Sequence, residues 1–125
     1  MVRKIYLDSD IIINLLNKNE DIKRALESLD GEFFTTSINI FEIWQGRKNS
    51  ENILEFISWL DILDLNMNSS MIAGDIHRKL RSSGKIIDLR DLFIGSICID
   101  NKAELLTLNK KYFNRLKKFN LILAD

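Results

Sequence analysis

The residues of this chain that could do chemistry are mostly acids. Six polar side chains stand out in segments far apart along the chain: Asp8, Asp10, Glu42, Asp88, Asp91 and Asn109. All but Glu42, which lies within a predicted helix, fall beside predicted strand ends or helix starts. Carboxylate and amide oxygens are the ligands that Mg²⁺ and Mn²⁺ prefer. The chain contains one His and one Cys, which excludes sites built from several imidazoles or thiolates. The set therefore favours metal-assisted hydrolysis of a phosphodiester, which needs no histidine base.

Acids that converge on one place need a counter-ion. Two carboxylates about 5 Å apart repel by about 3 kcal/mol at an effective dielectric constant near 20. Three such pairs would rival the whole stability of a typical domain, roughly 5–15 kcal/mol. Protonation or a divalent cation must relieve this repulsion.

The elements that would position the acids alternate between strand and helix. Short β-type runs occur at residues 4–7, 32–35, 62–65, 104–107 and 119–123, and helix-period segments separate them. This alternation predicts an α/β fold with a central, mainly parallel sheet of about five strands flanked by helices. Strand-to-helix turns of such a sheet meet at the carboxyl ends of the strands, where ligand sites collect. We therefore expect the acids to meet at that edge.

Two predicted helices carry acids among apolar residues. Residues 37–44 are apolar nearly all round, yet Asn39 and Glu42 lie three apart on one face. Residues 88–99 form a very apolar segment that begins with Asp88 and Asp91, which predicts a buried helix with a charged tip.

The other predicted helices are amphipathic covers for the sheet. One is capped by Asn19 and ends at Gly31, and another spans residues 51–60. A third is predicted to be capped at one of residues 68–70 and to end at 83–84.

Four of the acids also have an ordinary structural interpretation, as helix caps or first-turn residues that suit the helix dipole: Asp8, Asp10, Asp88 and Asp91. Glu42 lies between Phe41 and Ile43 in mid-helix and has no capping role. It is therefore the acid that most strongly indicates function.

Length and composition predict one ordinary globular domain over residues 1–125. The chain has 46% hydrophobic residues and no formal net charge. Its longest apolar run is far too short to span a bilayer, so we expect no membrane segment. The lone Cys98 excludes an internal disulfide and fits a cytoplasmic location.

Four stretches, in order along nearly the whole chain, resemble the motifs of PIN domains, and within them of the VapC-type toxin ribonucleases of toxin–antitoxin pairs: Ile5–Leu16, Thr35–Gly46, Asp91–Ile99 and Leu105–Phe113. The resemblance implies that Asp8, Glu42 and Asp91 are the catalytic and metal-binding acids, with Mg²⁺ or Mn²⁺ as cofactor. Asp88 and Asn109 would be further metal ligands.

This chain departs from the family pattern at two positions. The family's usual Asn two residues after the first Asp is Asp10 here, and many relatives carry Asp where this chain has Asn109. An Asn can still coordinate through its carbonyl oxygen, but one negative charge is lost at that position.

The resemblance also implies an RNA substrate, a cognate antitoxin of the VapB type and a homodimer. RNA requires phosphate contacts, and basic residues beside the acids are the candidates: Arg90, Lys110 and Lys111. Asp10 and the hydroxyl of Thr107 are further candidates for substrate contact.

Two alternatives remain open from the sequence. The first is a degenerate PIN-like module that binds RNA or protein without cleavage, which Asn109 favours. The second is a phosphatase of the haloacid-dehalogenase type, in which Asp8 would attack phosphorus and Asp10 would act as acid and base. That second interpretation leaves Glu42 unexplained.

Overall fold

A five-stranded, entirely parallel sheet forms the centre of the fold. The computed structural model describes residues 2–125. Its strands are β1 (Arg3–Leu7), β2 (Gly31–Thr36), β3 (Asp61–Leu63), β4 (Glu104–Leu106) and β5 (Ile122–Leu123). Their order across the sheet is β3-β2-β1-β4-β5. The predicted α/β fold with a parallel sheet is confirmed, and β1 lies at its middle.

The connections between strands are helical. The helices are α1 (Ser9–Leu16), α2 (Glu20–Glu27), α3 (Ser37–Gln45), α4 (Ser50–Ile57), α5 (Met67–Ser82), α6 (Leu89–Asp100) and α7 (Lys110–Phe113), followed by a 3-10 helix (Asn114–Phe119). Within residues 2–125, none of them is long and apolar enough to cross a membrane.

The helices of the site begin at side-chain caps. Asp8, Thr36 and Asp88 are the N-caps of α1, α3 and α6, and each accepts a hydrogen bond from a backbone N–H of the helix it starts. Helices α1 and α3 therefore begin directly after β1 and β2, whereas α6 begins after the segment that follows α5.

Three predicted helix ends were wrong, and one of them is that of α4, which ends at Ile57 instead of residue 60. Helix α5 begins earlier than expected, because Asn66 and Ser69 form a reciprocal capping box in which each side chain accepts from the other's backbone N–H at 2.9 Å. Helix α2 ends at Glu27, and Gly31 belongs to β2 instead of capping the helix. A Cβ at position 31 would come within 2.7 Å of the Arg3 carbonyl oxygen, so the close approach of β1 to β2 needs glycine there.

The sheet is covered on both faces by apolar side chains. Side chains of β1 alternate between the faces: Ile5 and Leu7 belong to one buried cluster and Tyr6 to the other. The first cluster packs against α1, α3 and α4, whereas the second contains residues of α5 and α6. The N-termini of α1, α3 and α6 thereby converge near the carboxyl end of β1.

Candidate active site

Asp8 is the centre of the site and is fixed from three directions. It follows β1 directly, and only 7% of the residue is exposed. Its Oδ1 accepts hydrogen bonds from the Ser9 backbone N–H at 2.8 Å and from Asn39 Nδ2 at 2.9 Å. Its Oδ2 accepts a hydrogen bond from the Thr107 hydroxyl at 2.7 Å. The carboxylate is therefore held by α1, α3 and the turn after β4.

A polar network links Asp8 to Glu42. The Ser9 hydroxyl donates to Glu42 Oε1 at 2.8 Å and accepts from Asn39 Nδ2 at 2.9 Å. The Thr36 hydroxyl donates to Asn39 Oδ1 at 2.7 Å and so fixes the orientation of that amide. Within this network both carboxylates are held by neutral donors.

Glu42 is partly desolvated and lies in a negative environment. Burial raises the pKa of its carboxyl, and Asp8 raises it further, against the lowering effects of the Ser9 hydrogen bond and of Arg90. The Arg90 guanidinium reaches to 3.7 Å from Glu42 Oε2. Glu42 is thus an acid whose ionised form gains from an added positive charge.

Asp91 lies in the first turn of α6 and is the most strongly perturbed carboxyl of the site. Burial, and then the charges of Asp88, Asp8 and Glu42, raise its pKa to about 6. Because these other acids act on it through their charges, the three distant segments are electrostatically coupled at this point.

Asp88 behaves differently from Asp91. Although burial acts to raise its pKa, hydrogen bonds from the backbone and side chain of Arg90 and the Arg90 charge lower it overall. The carboxylate caps α6 and lies 3.4 Å from Arg90 Nε. Asp88 is therefore occupied by structural contacts.

Asp10 faces the turn after β4. Its Oδ2 accepts hydrogen bonds from the Leu108 backbone N–H at 3.1 Å, from Asn109 Nδ2 at 3.0 Å and, more weakly, from the Thr107 hydroxyl at 3.4 Å. Burial and the charge of Asp8 raise its pKa. Asp10 thus ties the start of α1 to the segment that carries Asn109.

One cleft of about 310 Å³ collects five of the six polar side chains on which the predicted cation site was based. Its lining includes four carboxylates and the amide of Asn109: Asp8, Asp10, Glu42 and Asp91 supply the acids. Thr107 is buried and contacts both Asp8 and Asp10. Five of the predicted residues thereby share one cleft.

The remaining predicted residues lie around this cleft. Asp88 and Lys111 line a neighbouring depression of about 220 Å³, which shares Asp91 with the cleft. Lys110 is exposed at the start of α7, directly after Asn109. Arg90 is exposed and contacts Glu42 and Asp88. These basic residues border the acids.

The oxygen-rich lining suits a hard divalent cation, although the acids do not form a closed ligand cage. Among residues 2–125, no three Asp, Glu, His or Cys side chains are grouped closely enough to hold a metal ion together. Mg²⁺ is commonly held by one or two carboxylates and several waters, so such a cage is not required. A buried carboxylate oxygen, Asp10 Oδ1, also has no hydrogen-bond partner within the described chain. The donor set therefore fits a hydrated Mg²⁺ or Mn²⁺.

Sequence reasoning missed part of the network around these acids. It did not single out Ser9, which donates to Glu42, and it did not foresee the bond from Thr36 to Asn39. The spacing of Asn39 and Glu42 on one helical face was a usable signal. The role of Ser9 had no local signal, because its two side-chain partners lie 30 and 33 residues away.

Comparison with known proteins agrees with this fold. The family model for the PIN domain matches residues 5–119. This chain therefore belongs to the PIN domain family. It is 30% identical over 124 residues to Ribonuclease VapC1 of Methanocaldococcus jannaschii, covering 98% of this chain and 88% of that protein. It is 32% identical over 129 residues to Ribonuclease VapC2 of Rickettsia felis, covering 95% of each.

A solved structure has a similar fold. The fold matches a chain in the crystal structure of VapBC2 from Rickettsia felis bound to a DNA fragment from their promoter, with a TM-score of 0.83. The identity is 29%, and 97% of each chain is covered.

Proposed function

We propose that this protein is a metal-dependent endoribonuclease and the toxin of a VapBC-type toxin–antitoxin pair. It hydrolyses phosphodiester bonds in RNA. The observation that carries the proposal is the meeting of Asp8, Glu42 and Asp91, from three distant segments, in one cleft at the carboxyl edge of the sheet. Membership of the PIN domain family and similarity to two proteins named ribonuclease VapC support it.

In this proposal Asp8, Glu42 and Asp91 hold Mg²⁺ or Mn²⁺, with Asn109 at the margin. A bound divalent cation supplies the positive charge that favours deprotonation of an attacking water and offsets negative charge on the phosphate. Asp88 is a weaker candidate ligand, because its carboxylate already caps α6 and pairs with Arg90.

The chain's own residues orient these acids. Asn39 and Thr107 fix the two oxygens of Asp8, and Ser9 holds Glu42 Oε1. This leaves Glu42 Oε2 on the side of Arg90. Preorganised carboxylates need little rearrangement when substrate arrives.

Basic residues at the rim bind the RNA backbone. Lys110 and Lys111 follow Asn109 directly, and Lys111 lines the depression that adjoins the cleft. These two side chains contact phosphates that flank the scissile bond. Arg90 is the third candidate, and its guanidinium lies 3.7 Å from Glu42 Oε2.

The proposal includes a cognate antitoxin, a homodimer and a cytoplasmic location, where RNA and antitoxin are both available. A basic antitoxin side chain that reaches the acids would inhibit cleavage, because it would compete with the cation for the same carboxylates. Excess antitoxin should then suppress cleavage by the wild-type protein.

The test is cleavage of a mixed RNA pool by the purified protein, with Mn²⁺ or Mg²⁺ and with a chelator. Asp8→Ala, Glu42→Ala and Asp91→Ala are compared with Asp75→Asn, an exposed acid on α5. Metal-dependent cleavage that the three alanine variants lose, while they remain folded, is expected. Metal binding without cleavage on a broad range of RNAs would favour the non-cleaving binding module instead.

A further inference from the structure

The contacts of Asp10 with the rest of the chain do not neutralise its negative charge. All three donors to its Oδ2 are neutral: the Leu108 N–H, the Asn109 amide and the Thr107 hydroxyl. Within residues 2–125, Asp10 forms no ion pair with a Lys or Arg. The fold therefore holds this carboxylate without neutralising it.

The second oxygen of Asp10 makes the charge harder to explain by structure alone. Oδ1 is buried and has no hydrogen-bond partner in the described part of the chain. Burying part of an unpaired carboxylate is unfavourable. An Asn at this position could accept the Leu108 hydrogen bond through its carbonyl oxygen and would bring no charge into this partly buried position, so these contacts do not themselves require an acid. The helix dipole of α1 already has an acid at its N-cap, Asp8.

Asn109 is the side chain that holds the Asp10 carboxylate at the cleft. Its Nδ2 donates to Asp10 Oδ2 at 3.0 Å, and both residues line the cleft. One carboxylate and one amide thus form a hydrogen-bonded pair at the cleft wall. Exchanging the two residue types would preserve both the charge of the pair and a hydrogen bond between them.

The two departures from the family pattern noted in the sequence fall on this one pair. The resemblance implies Asn at position 10 and, in many relatives, Asp at position 109, and this chain has the reverse. The contact between them explains how both departures can coexist without loss of charge in the cleft.

We propose that Asp10 supplies the fourth negative charge of the cation site in place of a carboxylate at position 109, and that Asn109 positions it. The inference rests on the proposed function, since it assigns a role in holding the cation of that same cleft. Asp10 strengthens cation binding directly or through a bound water. Asn109 acts through Asp10 and contributes no charge.

The experiment measures the affinity of the RNA-free, full-length protein for Mn²⁺ by calorimetry. Asp10→Asn is expected to weaken binding about tenfold or more, within the range for supporting groups of metal sites. The double variant Asp10→Asn/Asn109→Asp is expected to bind within about threefold of the wild type, because the charge returns at the neighbouring position. Asp75→Asn, which removes an exposed acid elsewhere, should leave the affinity unchanged.

Two further variants separate charge from structure. Asn109→Ala removes the donor but keeps the carboxylate, so it is expected to weaken Mn²⁺ binding less than Asp10→Asn does. Thermal unfolding without metal checks that all variants fold. Wild-type affinity in Asp10→Asn would overturn the inference, as would a double variant no better than Asp10→Asn, or a loss in Asn109→Ala equal to that in Asp10→Asn.

Failure of the proposed function gives a different pattern. If the wild type does not bind Mn²⁺, or if Asp8→Asn binds it as tightly as the wild type, the cleft is not a cation site and both proposals fall. If Asp8→Asn loses binding and Asp10→Asn does not, only the role of Asp10 is wrong.

Discussion

Burial has opposite effects on stability in two regions of helix α6. Its middle is apolar, with Ile94 and Ile97 completely buried in the core. Its first turn carries Asp91, which is half-buried beside other acids and has its pKa raised to about 6. Burial stabilises the first region and destabilises the ionised form of the second.

This contrast supports the proposed site at the acidic start of α6. The buried apolar part of α6 fixes the position of the helix. This keeps Asp91, at the acidic tip, close to other acids although the ionised form of its carboxyl is unfavourable there. Acids whose mutual repulsion destabilises the folded protein are expected where a bound ligand offsets that repulsion. Substitutions in the two regions should therefore affect different measurements.

The largest effect on stability is expected from the apolar region. Ile97→Ala should lower the free energy of unfolding by about 2–5 kcal/mol, because it leaves a cavity in a fully buried part of the core. Urea denaturation measures this loss. Cleavage by the protein that remains folded at low temperature should change little, and a loss below about 1 kcal/mol would contradict the assignment of this position to the core.

A substitution in the acidic tip should instead reduce cleavage without reducing stability. Asp91→Asn is expected to reduce metal-dependent RNA cleavage by at least about 100-fold, the scale for removing one electrostatic group from an active site. Its unfolding midpoint should not fall, because the substitution removes a repelling charge. An Asp91→Asn protein that cleaves RNA at the wild-type rate would remove Asp91 from the site.

Thr107 tests the connection between the buried framework and the acids. Thr107→Val keeps the shape of the side chain but removes the hydroxyl that donates to Asp8 Oδ2 and accepts from the Asn109 N–H. A stability loss of about 1–3 kcal/mol is expected, because the buried Asp8 carboxylate loses a hydrogen-bond donor and the Asn109 N–H loses its acceptor. Thr107→Ser retains the hydroxyl and should recover most of the loss. Equal losses in both variants would indicate a packing effect instead.

The smallest effect is a pH dependence of the metal-free protein. Since Asp91 has a folded-state pKa of about 6, above its ordinary value of 3.8, its protonated form favours the folded state. The stabilisation from protonation is present below about pH 4 and is lost as the pH rises through 6. At pH 7, Asp91→Asn should unfold about 2–5 °C above the wild type, and this difference should shrink towards pH 4. A constant difference across that range would contradict the assigned shift.

The sequence predicts the framework of the site well, because its signals are local. Apolar runs bounded by helix-period segments marked all five strands, and parallel topology brought their carboxyl ends together. The apolar segment with acids at its start predicted both regions of α6. Asp8, Glu42 and Asp91 could therefore be expected near one another from the sequence.

The rest depends on contacts between distant segments. The bond from Ser9 to Glu42 and the bond from Asn109 to Asp10 require α3 and the β4 turn to pack against α1 in one register. The hydrophobic periodicity of the sequence does not specify that register. The cap of α5 was misplaced for another reason, since several neighbouring Asn and Ser residues could each have capped it, and the reciprocal bonds of Asn66 and Ser69 decided between them.

The most direct measurement is the unfolding midpoint of the wild type and of Asp91→Asn at pH 7, each with and without Mn²⁺. Without the metal, Asp91→Asn should be the more stable protein. With Mn²⁺ at about 100 times its dissociation constant, the wild type should gain about 2.7 kcal/mol, and the order of the two midpoints should reverse. Equal gains from Mn²⁺ in both proteins, or a wild type that is already the more stable without metal, would contradict a cation site built on these acids.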